Sequence, residues 1–113
     1  MAAYRDTARI ATVTAIGAGV IGAGWVAAFL GSGRAVRLFD PAPDAAARAA
    51  AHVAAAWPQM AALGLAPDHA DWRCRLTTHD SLAEATAGTD FVQESTPERL
   101  DLKQALLAEL DRL

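Results

Sequence analysis

The 113-residue sequence has a single cysteine, Cys74, which excludes an internal disulfide and any cysteine-rich metal site. It also lacks a cluster of basic residues. Ten Lys and Arg stand against thirteen Asp and Glu, a formal net charge of -3, so there is no electrostatic footprint for nucleic acid or an anionic membrane. Any phosphate group it recognises must be held by the main chain. No apolar run approaches the ~20 residues of a membrane span. The stretch from Met1 to Ile10 carries charges where a secretory leader needs an apolar segment, so a cytoplasmic location is expected. Large apolar side chains are scarce too. Although 53% of the residues are hydrophobic, about a quarter of the chain is alanine, which favours helix but contributes little buried area. The length leaves room for one core and one domain.

What is present alternates in period. Ile10 to Ile16 is β-branched at alternating positions and ends at Gly17, the pattern of a strand entering a tight turn. Val20 to Leu30 is nearly all apolar, with Trp25/Phe29 and Val26/Leu30 spaced four apart, and predicts a buried helix stopped by Gly31, Ser32 and Gly33. Ala35 to Phe39 is a second strand closing on Asp40 and Pro41. Asp44 is placed to cap an alanine-rich helix that should run to about Trp57, where Pro58 kinks or ends it, suggesting a helical hairpin before the turn at Gly64 and Pro67. Arg73 to Thr77 reads as a third strand, Ser81 to Ala87 as a short helix and Thr89 to Glu94 as a fourth strand. Ser95-Thr-Pro-Glu98 forms a capping box that opens a last helix with Leu102, Leu106, Leu110 and Leu113 on one face. This order predicts an α/β, Rossmann-type, doubly wound parallel sheet of about four strands, with helices on both faces.

Gly17-Ala18-Gly19-Val20-Ile21-Gly22 falls between the first strand and the first helix, the setting in which this glycine spacing signifies dinucleotide binding. The first glycine permits the turn, the second lets a diphosphate reach the backbone, and the third lets helix and strand approach closely. The anion would rest on free N–H groups at the positive end of the helix. Alone, the glycines would justify only a turn, and Asp40 only a strand end. Asp40, however, lies 18 positions beyond Gly22 at the end of the next strand, where an acidic residue accepts hydrogen bonds from the adenosine ribose. Its neighbour is Pro41 rather than arginine, so a 2'-phosphate would meet a carboxylate with no cation to offset it. NAD(H) is favoured over NADP(H).

Three runs carry a resemblance to a known family: Val13-Thr-Ala-Ile-Gly-Ala-Gly-Val-Ile-Gly-Ala-Gly-Trp25, Leu38-Phe-Asp40, and Phe91-Val-Gln-Glu-Ser-Thr-Pro-Glu-Arg-Leu-Asp-Leu-Lys103. Together they resemble the N-terminal NAD-binding domain of the 3-hydroxyacyl-CoA dehydrogenase family. The Val-Gln-Glu-x-x-Pro-Glu form is most similar to the branch containing L-carnitine dehydrogenase and L-gulonate 3-dehydrogenase (lambda-crystallin). The resemblance implies that the amides of Gly17 to Gly22 and the carboxylate of Asp40 hold NAD, and that Glu98 and Lys103 line the same site. Read without it, Glu98 is accounted for by the capping box and Lys103 is a surface lysine.

The resemblance further implies a catalytic His-Glu pair and a substrate-orienting Ser and Asn beyond Leu113, with oxidation of a secondary 3-hydroxyl by hydride transfer to NAD. This chain then reads as the cofactor half, its sheet to be completed at the fourth strand by a second chain or a further C-terminal part. The alternative is a dinucleotide-binding or oligomerising module with no dehydrogenase activity of its own. His52, His69 and His79 receive no role. Cys74 and Trp25 are expected in the core, while Trp57 and Trp72 either line the hairpin or mark an exposed partner surface.

Overall fold

The computed structural model describes residues 10–68, 71–95 and 109–111. Its elements are β1 (Thr12–Ile16), α1 (Val20–Gly31), β2 (Ala35–Phe39), α2 (Ala45–Ala62), a 3-10 turn (Trp72–Arg75), β3 (Leu76–Thr78), α3 (Leu82–Thr86) and β4 (Phe91–Glu94). The strands form one parallel sheet in the order β3-β2-β1-β4. The chain thus builds outward through β2 and β3 and then returns to the other side of β1. Right-handed crossovers on the two sides of β1 put α1 and α2 on one face and α3 on the other.

Side-chain alternation follows this arrangement. Ala15, Val36 and Leu38 join Val26, Leu30, Val53, Trp57 and Trp72 in the core beneath α1 and α2. The intervening Thr14 and Arg37 point to the opposite face, where both donate to the carbonyl of Ala85 in α3, at 2.6 and 3.0 Å. Arg37 donates also to the carbonyl of Glu84, so an arginine in an interior strand is satisfied by the carbonyls at the end of a short helix.

Several local expectations are corrected. α2 does not end at Pro58 but runs to Ala62, and no hairpin partner follows among the described residues. Trp57, immediately before the proline, is buried against Trp72 and donates its indole N–H to the carbonyl of Pro67 at 2.9 Å, which anchors the last turns despite the missing N–H. Gly64 stops the helix. With φ +76° it lets its own N–H reach the carbonyl of Ala61 and that of Leu65 reach Met60, satisfying the terminal carbonyls.

Residues 73–75, expected in the third strand, belong to the 3-10 turn Trp72–Arg75, and Cys74 on it is exposed rather than buried. Helix α1 is not buried all round. Trp25 is 43% exposed and stacks on Phe29, which meets Phe91 of β4. Finally, Asp44 makes no side-chain cap to α2 and pairs instead with Arg48. Trp57 and Trp72, left open between two readings, are both core residues. No helix among the described residues is long and apolar enough to cross a membrane.

Candidate functional site

The carboxyl ends of β1 and β2 meet at the glycine turn. Gly17 has φ +97°, a conformation that few residues other than glycine adopt, and its N–H donates to the carbonyl of Phe39 at 2.9 Å, extending the strand pairing by one residue. The chain then turns into α1. Gly19 is the N-cap, and the first helical bond runs from the N–H of Ala23 to its carbonyl. The amides of Val20, Ile21 and Gly22 precede that bond and have no acceptor within the helix.

Space around the turn is divided unequally. A Cβ on Gly19 would meet nothing within 4 Å, whereas one on Gly22 would lie 2.1 Å from the carbonyl oxygen of Gly17. Gly22 therefore seals the helix against the strand end, and Gly19 leaves the backbone open on the outer side. Val20 is 86% exposed, so among the described residues no side chain packs over it, and the first turn holds no acidic residue that would neutralise its positive end. An anion placed here would receive several main-chain N–H bonds at once.

Asp40 is joined directly to this turn. Its Oδ2 accepts from the N–H of Ala18 at 2.7 Å and its Oδ1 from the N–H of Ala42 at 2.8 Å. Each carboxylate oxygen has a second lone pair, so the group can also accept two hydroxyl protons. Beside it lies an open cleft of about 280 Å³, bounded by Pro41 and Ala42 on one side and by Thr78, His79 and Asp80 on the other. Among the described residues no lysine or arginine lines the cleft. The guanidinium groups of Arg37 and Arg75 are engaged elsewhere by main-chain carbonyls.

The structure thus brings together Gly17, Ala18, Gly19, Val20, Ile21, Gly22 and Asp40. Glu98 and Lys103 lie outside the described residues. Sequence reasoning missed the far wall of the cleft. The register pairs Leu38 with Thr78, so the residues after β3 stand beside Asp40. The signal that could have found them is that open α/β sheets place ligands beyond the carboxyl ends of adjacent strands. Among the described residues no group of three or more His, Cys, Asp or Glu could hold a metal ion.

The model of the family described as 3-hydroxyacyl-CoA dehydrogenase, NAD binding domain, matches residues 12–113. L-carnitine dehydrogenase of Nocardiopsis dassonvillei is 55% identical over 102 residues, covering 90% of this chain and 30% of that enzyme. The Streptomyces coelicolor enzyme of the same name is 54% identical over 99 residues, covering 88% and 30%. The crystal structure of (S)-3-hydroxybutyryl-CoA dehydrogenase from Ralstonia eutropha superposes with a TM-score of 0.76 at 30% identity, covering 90% of this chain and 36% of that one. The chain spans under a third of the length of these two curated relatives. It belongs to the 3-hydroxyacyl-CoA dehydrogenase family, on the branch that holds these L-carnitine dehydrogenases, as the domain that binds NAD.

Proposed function

We propose that this chain holds NAD(H) for a dehydrogenase that oxidises the secondary 3-hydroxyl of L-carnitine. The bond between the N–H of Ala18 and Asp40 carries the reading, because it fixes a hydroxyl acceptor beside a helix start whose amides are free to bind a diphosphate. In this reading the free amides at the start of α1, from Val20 to Gly22, hold the diphosphate, while those of Gly17 and Ala18, already given to Phe39 and Asp40, shape the turn, and the carboxylate of Asp40 takes the adenosine ribose hydroxyls, with Glu98 and Lys103 as further members of the site. NAD supplies the hydride acceptor when bound. The chain's own groups bind and orient it, as the protein part of a cofactor enzyme does.

NAD is preferred over NADP because Asp40 and Asp80 line the cleft and no lysine or arginine among the described residues stands there to offset a further phosphate. Carnitine is the substrate in the names of the relatives at 54% and 55% identity, which favours it over a 3-hydroxyacyl-CoA or gulonate. The base that takes the hydroxyl proton and the groups that touch substrate belong, in this reading, to residues outside the sequence described. That further part, or a second chain, covers β4, whose Phe91 and Val92 are 42% and 37% exposed. A cytoplasmic setting suits the unpaired Cys74.

Titration calorimetry tests the cofactor assignment. The chain should bind NADH, and Asp40→Ala should weaken binding by about ten- to hundredfold, the loss expected for hydrogen bonds to a charged group. Absence of NADH binding by the folded chain rejects it. The substrate is tested by a chimera in which this chain replaces the matching segment of the Nocardiopsis enzyme. NAD reduction dependent on L-carnitine is expected, and a chimera that binds NADH but leaves carnitine untouched rejects that part.

A further inference from the structure

Resting on the NAD reading above, we propose that the side chain of Ile21 is the apolar seat of the nicotinamide ring. Helix α1 carries no charged residue and, apart from the indole of Trp25, no polar side chain, a composition that belongs in a core. Its first turn is not in one. Val20 is 86% and Ile21 73% exposed, and these two branched aliphatic side chains flank the amides offered to the diphosphate. Apolar surface left in water at that point is covered when a ligand brings apolar surface of its own.

The phase of the helix assigns the two side chains to different sides. Val20 lies about three turns before Gly31 on the same face, the face on which Gly31 approaches Met60 of α2. Ile21, Trp25 and Phe29, spaced four apart, form the stripe that turns toward β4, where Trp25 stacks on Phe29 and Phe29 meets Phe91. The sheet order places β2 and β4 on opposite sides of β1, so a dinucleotide with its adenosine ribose on Asp40 and its diphosphate at the start of α1 carries its other half toward β4. There the N–H of Ser95 donates to the carbonyl of Ile16 at 2.8 Å, and a Cβ on Gly22 would stand 3.4 Å from that of Ser95, which brings the end of β4 level with the glycine turn. Side chains on a helix lean toward its N-terminus, so Ile21 leans over that turn. The faces of a nicotinamide ring are apolar and its carboxamide lies at the edge. One face resting on Ile21 is shielded from water, and the opposite face stays open to substrate.

Calorimetric titration of NADH and of ADP-ribose, which lacks the nicotinamide, into the full chain and into Ile21→Ala, Ile21→Leu and Val20→Ala tests this, with thermal unfolding of each variant as the check on folding. In Ile21→Ala the Kd for NADH should rise about five- to tenfold while that for ADP-ribose stays within about twofold of the parent. Ile21→Leu, which keeps the apolar surface, should hold both ligands within about twofold, and Val20→Ala should leave the ratio of the two Kd values as it is in the parent. Should Ile21→Ala fail to fold, Ile21→Thr, branched at the same carbon but less apolar, is read by the same ratio. If the Ile21 variants weaken both ligands equally or neither, or if Val20→Ala shifts the ratio as far as Ile21→Ala does, the assignment of Ile21 falls and the NAD reading stands. If the parent chain binds neither ligand, both fall.

Discussion

The two ends of the sheet are built by opposite means. At the carboxyl end, the glycine turn and Asp40 present main-chain N–H groups and an acceptor to open space, and the important feature of Gly19 and Gly22 is an atom they do not have. At the amino end, polar groups are matched with one another. Arg75 donates to the carbonyls of Leu30 and Arg34 at 3.0 and 2.9 Å, and Asp90 accepts from the amides of Ala11 and Thr12 at 3.0 and 3.1 Å. Trp72, 1% exposed, closes that end against Trp57. One end therefore fails when atoms are added and the other when they are removed. Polar groups matched internally contribute to stability, whereas donors left open are available to a ligand.

Substitutions at each end should break this contrast in different ways. Trp72→Ala empties the amino end of its largest buried side chain and should cost about 3–5 kcal/mol in denaturant unfolding, the range for aromatic truncation in a core. Gly22→Ala should cost about 3 kcal/mol and abolish NADH binding even under conditions where the chain stays folded, because the added carbon displaces the carbonyl of Gly17. Arg75→Met removes the guanidinium bonds to the carbonyls of Leu30 and Arg34. It should destabilise by about 1–2 kcal/mol while leaving the Kd for NADH unchanged, which a paired unfolding and binding measurement would show. The smallest effect has the opposite sign. Gly24→Ala, two positions from Gly22 but facing open space, should stabilise α1 by up to about 1 kcal/mol in the same unfolding assay.

The carboxyl end was readable in the sequence and much of the amino end was not. The glycine turn, the limits of β2 and the place of Asp40 follow from local rules, since each depends on a turn conformation or a strand end written within a few residues. The 3-10 turn at 72–75 does not. Its arginine is held by carbonyls more than 40 residues away in sequence, and β3 begins only where Leu76 finds Val36. Pro58 misled for the same kind of reason, because the indole bond from Trp57 to Pro67 that holds the helix beyond it is a tertiary contact. Trp25 counted as core by its size. It is partly exposed, stacked on Phe29, whose own ring meets Phe91.

Asp40 bridges the amides of Ala18 and Ala42, and so ties the first crossover to the start of the second. A side chain tethered at both oxygens has a single rotamer before any sugar meets it, so a contact made there loses little to ordering. By the same tether, departure of the cofactor leaves the loop in its receptive shape, and the site is expected to exchange dinucleotide without rearranging.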